Sequence, residues 1–84
     1  MSRITIYSKP HCPYCVLAKE LLDLKKVEYT EIDLIKDIDK KDEMIKKSGR
    51  MTVPQIFIGD KHIGGYDNLK ELEDKGELEK MIKD

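Results

Sequence analysis

The chain has 84 residues, 39% of them hydrophobic and 39% charged, a length that suits one compact domain over residues 1–84 and excludes two. Sixteen Lys and Arg against seventeen Asp and Glu leave a net charge of −1, so overall charge recruits neither nucleic acid nor a membrane surface as a partner. No run approaches the ~18 apolar residues of a membrane span, and the N-terminal MSRITIYSK lacks the apolar segment of a secretory leader, so the expected setting is a reducing cytosol.

Arg3-Ile4-Thr5-Ile6-Tyr7 alternates with period two and is mostly β-branched or aromatic, which predicts a first strand. Between Pro13 and Lys26, Leu17, Leu21 and Leu24 fall at helical spacing with Ala18 and Leu22 beside them. Lys25 and Lys26 then lie at the negative end of the helix dipole. Val27 to Ile32 is a second strand, and a helix between the two implies a right-handed β-α-β crossover with the strands parallel. Asp37 to Ser48 predicts a helix, acidic at its start and basic at its end, with Gly49 as the residue that terminates it. Nine of the twelve residues from Lys36 to Lys47 are charged with mixed sign, the mark of a solvated helix face rather than an interaction patch.

Gln55-Ile56-Phe57-Ile58 and Lys61-His62-Ile63 flank the turn Gly59-Asp60 and form an antiparallel hairpin. From Asp67 to Lys83, Leu69, Leu72, Leu78, Met81 and Ile82 recur at helical intervals, with Gly76 dividing the segment into two short helices. The order β-α-β-α-β-β-α is that of an α/β fold, a four-stranded mixed sheet with helices on its faces.

The two cysteines stand three positions apart in His11-Cys12-Pro13-Tyr14-Cys15. A cross-link between them closes so short a loop that it removes roughly 2 kcal/mol of unfolded-state entropy at best, so chemistry explains the pair better than stability does. Cys12 falls at the start of the first helix, where unpaired backbone N–H groups favour a thiolate, and Pro13 is tolerated there because its missing N–H is one of those unpaired groups. A helix dipole supplies up to about 2 kcal/mol, roughly 1.5 pKa units, and the N–H groups of Tyr14 and Cys15 together with the cationic Lys9 add to it. Cys15, one turn in and less exposed, suits the resolution of a mixed disulfide, with a thiol that titrates higher. His11 is expected to be a solvent-exposed imidazole, and Tyr14 either a packing residue or an aromatic wall to a reactive loop. A structural zinc site needs four ligands; His11 abuts Cys12 and His62 stands alone on its strand, so no metal site is expected.

Three segments together resemble the glutaredoxin family: Tyr7-Ser8-Lys9-Pro10-His11-Cys12-Pro13-Tyr14-Cys15, Ser48-Gly49-Arg50-Met51-Thr52-Val53-Pro54-Gln55-Ile56-Phe57-Ile58, and Gly64-Gly65-Tyr66-Asp67-Asn68-Leu69. The resemblance implies a thioredoxin-like fold and a glutathione-dependent thiol–disulfide oxidoreductase that reduces protein–glutathione mixed disulfides and protein disulfides. Cys12 is then the nucleophile and Cys15 the resolving thiol, with glutathione as co-substrate and no tightly bound cofactor. Thr52-Val53-Pro54 looks like the family's cis-proline turn, which leaves the Val53 N–H and C=O beside Cys12 to pair with the cysteinyl backbone of glutathione.

By the same resemblance Lys9 and Arg50 take the glycine carboxylate. Gly65, Tyr66, Asp67 and Asn68 hold the γ-glutamyl end at a helix start, with Asp67 facing the ammonium and Gly65 allowing close backbone approach. Asp67 is also expected to cap that helix. Arg50 stands where many members have Gln, and Tyr66 where a smaller residue is common. Implied partners are glutathione and glutathionylated or disulfide-bonded proteins, with ribonucleotide reductase a client by resemblance alone and the chain a monomer. A thioredoxin-type reductant would carry Trp-Cys-Gly-Pro-Cys, and members specialised as iron–sulfur carriers have a single cysteine followed by Gly-Phe-Ser; this sequence has neither.

Overall fold

A computed structural model describes residues 3–83. Strand β1 (Ile4–Ser8) is followed by helix α1 (Pro13–Leu24), strand β2 (Tyr29–Asp33), helix α2 (Lys40–Ser48), strands β3 (Gln55–Ile58) and β4 (Lys61–Gly64), and helices α3 (Tyr66–Asp74) and α4 (Leu78–Lys83). The strands lie in the order β2-β1-β3-β4. β1 runs parallel to β2, with Ile6 opposite Glu31, and antiparallel to β3, with Ile6 opposite Ile56; β3 and β4 form the antiparallel hairpin. The mixed four-stranded sheet and the crossover agree with the order expected from the sequence.

The period-two alternation of the strands divides the core into two layers. Ile4 and Ile6 of β1 and Ile56 and Ile58 of β3 pack with Ala18 and Leu22 of α1, Leu69 of α3, and Leu78 and Ile82 of α4. On the opposite face Tyr7 and Phe57 pack with Leu34 and with Met44 of α2. The Tyr7 and Phe57 rings meet edge to face at 5.7 Å. The Tyr7 hydroxyl donates to Glu43 Oε2 at 2.6 Å, which ties α2 to that face. Burial and the adjacent Glu43 carboxylate push the Tyr7 phenol up, well above the ordinary tyrosine range.

Element ends differ from the sequence expectation for identifiable reasons. Val27 does not begin β2: its N–H donates to Leu22 O at 3.3 Å, and the Lys26 N–H donates to Asp23 O at 3.0 Å with Lys26 at φ +57°. This is the Schellman closure of α1, in which Val27 is spent on the cap and packs on the core, so the strand starts at Tyr29. Helix α2 starts at Lys40 rather than Asp37, because Asp33 Oδ1 accepts from the Ile35 N–H at 2.8 Å and Asp33 O accepts from the Asp37 N–H at 2.9 Å, turning the chain before the helix begins. Gly49 ends α2 at φ +72°, and Gly76, at φ +73°, separates α3 from α4 as expected. Strand β4 reaches Gly64, with a bulge opposite the Ile56/Phe57 step.

Candidate active site

Cys12 is the N-cap of α1 and Pro13 its first residue, so the sulfur stands where the helix leaves its first N–H groups unpaired. The Cys15 N–H donates to Cys12 Sγ at 3.3 Å, and Cys12 Sγ lies 3.8 Å from the Val53 carbonyl oxygen, with the thiol as donor. Of the two N–H donors expected at the sulfur, Cys15 supplies the one observed. Both cysteines are free thiols, Cys12 half-buried and Cys15 fully buried at 0% exposure. Burial, with the hydrogen bond to Cys12, pushes the Cys15 thiol up to about 12, opposed by the backbone N–H of Lys9 and the charge of Lys19. His11 precedes the pair, exposed and at φ +64°.

The Val53–Pro54 peptide bond is cis. Beside it runs a groove of about 200 Å³. One side is built by Arg50, Thr52, Val53, Pro54 and Gln55, the other by Gly65, Tyr66, Asp67 and Asn68 at the start of α3, with Tyr14 at the cysteine end. Tyr14 forms a wall rather than a core contact: it is 58% exposed and stacks on Tyr66 with ring centroids 6.2 Å apart and planes at 29°. Tyr66, the larger residue at this position, reaches the core on its inner edge. Lys9 is half-buried on the loop after β1 and lies outside the groove lining.

One expectation for the far end of the groove needs correction. The N-cap of α3 is Gly65, and Asn68 closes the turn by accepting the Gly65 N–H on Oδ1 at 3.0 Å; Asp67 is the second helical residue and caps nothing. Among the described residues its carboxylate makes no ion pair, so it faces solvent over the groove. Within the protein a Cβ at Gly65 would meet only Pro54 O, at an ordinary 3.5 Å. The constrained residue is Gly64, at φ +122°, where a side chain would strike Asn68.

The sequence reading missed Gln55 as a site residue. It is 1% exposed, and its amide joins Thr52 in the groove to His62 on β4. The available signal was a polar side chain placed directly after Pro54 at the head of an otherwise apolar strand.

Comparison with known proteins places this geometry. Residues 4–63 match the family model described as Glutaredoxin. The chain is 48% identical over 83 residues to glutaredoxin 3 of Escherichia coli K12, covering 99% of this chain and 100% of that protein. Among solved structures, a buckwheat glutaredoxin–glutathione complex is similar with a TM-score of 0.89 at 34% identity, covering 98% of this chain and 77% of that one. The solution structure of a glutaredoxin from Brucella melitensis is similar with a TM-score of 0.84 at 48% identity, covering 98% and 89% of the two chains. The cysteine pair is thus set in a framework shared along nearly its whole length, and the chain belongs to the glutaredoxin family, the glutathione-dependent thiol–disulfide oxidoreductases.

Proposed function

We propose that Cys12 is the attacking sulfur and that the groove beside it holds glutathione. The observation that carries this is the position of Cys12 Sγ, at the start of α1 and 3.8 Å from the Val53 carbonyl at the edge of the groove. An extended cysteinyl segment lying along Val53 would pair with its backbone as a short strand does, bringing its sulfur to Cys12. Arg50 at one side and Asp67 with the α3 start at the other match a peptide that carries carboxylates at both ends and an ammonium beside one of them. Lys9 adds positive charge near Cys12 from outside the groove lining.

In the one-cysteine route the Cys12 thiolate attacks the glutathione sulfur of a mixed disulfide. A Cys12–glutathione disulfide forms and the protein thiolate leaves, taking a proton. A second glutathione thiolate then attacks the glutathione sulfur on Cys12, releasing the Cys12 thiolate and oxidised glutathione. In the two-cysteine route Cys12 opens a protein disulfide and Cys15, after losing its proton, attacks the resulting mixed disulfide to close the Cys12–Cys15 bridge, which two glutathione molecules then reopen. Protein clients, ribonucleotide reductase among them by resemblance, enter by this second route. The same reading takes the chain as a monomer working in a reducing cytosol, where the glutathione pool returns the pair to thiols.

The test is glutathione oxidation on a small glutathionylated substrate, coupled to glutathione reductase. Cys12→Ser is expected to abolish turnover. Cys15→Ser is expected to retain it while losing direct reduction of a protein disulfide, and equal loss in both variants would refute this division of roles.

A further inference from the structure

A buried primary amide is stable only when its donors and acceptor are all satisfied, so the partners of Gln55 define its task. Its Nε2 donates to Thr52 O at 3.0 Å and to Thr52 Oγ1 at 3.2 Å. A carbonyl oxygen can only accept, which fixes the amide: Nε2 faces Thr52 and Oε1 faces the other way. There Oε1 lies 2.7 Å from His62 Nε2, and an amide oxygen can only accept, so His62 Nε2 must carry a hydrogen. His62 is half-buried on β4, its ring 5.0 Å from that of Phe57, and the charged group facing it is Arg50.

The relay continues to the groove. Thr52 Oγ1 accepts from Gln55, so its own hydrogen is left to point elsewhere, and Thr52 lines the groove next to Val53. A donor held this way suits an acceptor on a bound peptide, a carboxylate or a carbonyl oxygen.

We propose that His62 is a positioning residue for glutathione binding: through Gln55 it orients Thr52, so that the Thr52 hydroxyl presents a hydrogen to the ligand and the backbone before Val53 keeps its place. The proposal rests on the reading of the groove as the glutathione site. His62 does not line the groove and makes no hydrogen bond to Cys12, so it acts on substrate affinity and leaves the sulfur chemistry alone.

Three proteins test this in the coupled assay: wild type, His62→Leu and His62→Gln, the last of which keeps an N–H donor close to the position of the imidazole Nε2. His62→Leu is expected to raise KM for the glutathionylated substrate by about three- to tenfold, the scale of one hydrogen bond to a buried amide, with kcat unchanged. His62→Gln is expected to restore KM to within about twofold, on the same hydrogen-bond reasoning. In a Thr52→Val background His62→Leu should raise KM by less than it does in wild type, since the hydroxyl end of the relay is gone and only the Thr52 carbonyl still rests on Gln55. A KM unmoved by His62→Leu, a loss equal in His62→Leu and His62→Gln, or additive effects with Thr52→Val would each overturn the relay. Should His62→Leu not fold, the ¹⁵N spectrum of the wild-type imidazole decides at neutral pH: a hydrogen on Nε2 supports the proposal and the Nδ1–H tautomer overturns it. Wild-type protein without glutathione-dependent turnover would instead bring down the underlying reading of the groove, whatever the tautomer.

Discussion

Treating the reduced protein with iodoacetamide reads the inequality of the two cysteines directly. Cys15 is 0% exposed, and its thiol is pushed up to about 12 by burial and the hydrogen bond to Cys12. At pH 7 a thiol titrating near 12 is a thiolate in a fraction on the order of 10⁻⁵, rising tenfold with each pH unit. Cys12 is half-exposed at a helix start with a backbone donor on its sulfur. Mass spectrometry of tryptic peptides should therefore show one label per native molecule at pH 7, on Cys12, and two labels once denaturant is added. In Cys12→Ser protein the Cys15 rate should climb steadily from pH 7 to pH 10 without a plateau.

The same shift sets a sign for stability. The unfolded chain gives up the Cys15 proton first, near 8.5, while the native state holds it until about 12. The native state binds more protons across that window, so this contribution is fully present below pH 8.5 or so and is lost as pH rises through the window. Labelling of Cys15 in the native state within tenfold of Cys12 at neutral pH would refute the reasoning, because neither burial nor protonation could then be protecting the thiol.

Arg50→Ala and Asp67→Ala should each raise KM for a glutathionylated substrate by about two- to fivefold, the scale of an exposed ion pair, with Lys9→Ala weaker because it lies outside the groove lining; an unchanged KM removes that residue from the site. Tyr66→Phe should match wild type while Tyr66→Ala raises KM, since the face stacked on Tyr14 is what the wall uses; an equal rise in both variants would assign the effect to the hydroxyl instead, and no rise in either would remove Tyr66 from the site. Leu69→Ala should lower the unfolding free energy in urea by about 2–5 kcal/mol, Leu69 being 0% exposed, and a loss below about 1 kcal/mol would contradict its place in the core.

Strand and helix order was legible because burial on these elements follows strict periods: Ile4 and Ile6 alternate with Tyr7, and Leu22 and Leu69 lie on single helical faces. The ends were less legible because caps depend on geometry that composition does not encode. Val27 has the side chain of a strand residue, yet its backbone closes α1, a choice that lies with Lys26 in the left-handed region and not with any glycine. Asp67 looks like a cap, but the cap lies two residues earlier at Gly65, and Asn68 accepts the Gly65 N–H on its side chain. The cysteine motif and the Thr52-Val53-Pro54 turn were visible as residue types. What they lacked in sequence was the third partner, Gln55, whose role appears only when β4 folds back and sets His62 against it.

The inequality between Cys12 and Cys15 follows from one turn of helix and needs no special residue. Cys12 is the cap, its carbonyl accepting the Val16 N–H at 3.0 Å as the first rung of the helix and its sulfur accepting the Cys15 N–H. Three positions later the side chain points back over the first turn and into the protein, which removes Cys15 from solvent while leaving its N–H aimed at Cys12. The second helix start at the groove, that of α3, is held by the same core, since Leu69 packs with Ala18 and Leu22 of α1 and with Ile6 and Ile56 of the sheet. On the proposed reading of the groove, a peptide anchored at the α3 start would be held at a fixed distance from the sulfur at the α1 start, and thiol–disulfide exchange depends on such alignment of the attacking, central and leaving sulfurs. The fold thus sets the spacing of the two helix starts through its core, and substitutions in that core and at Cys12 should separate into effects on KM and effects on the chemical step.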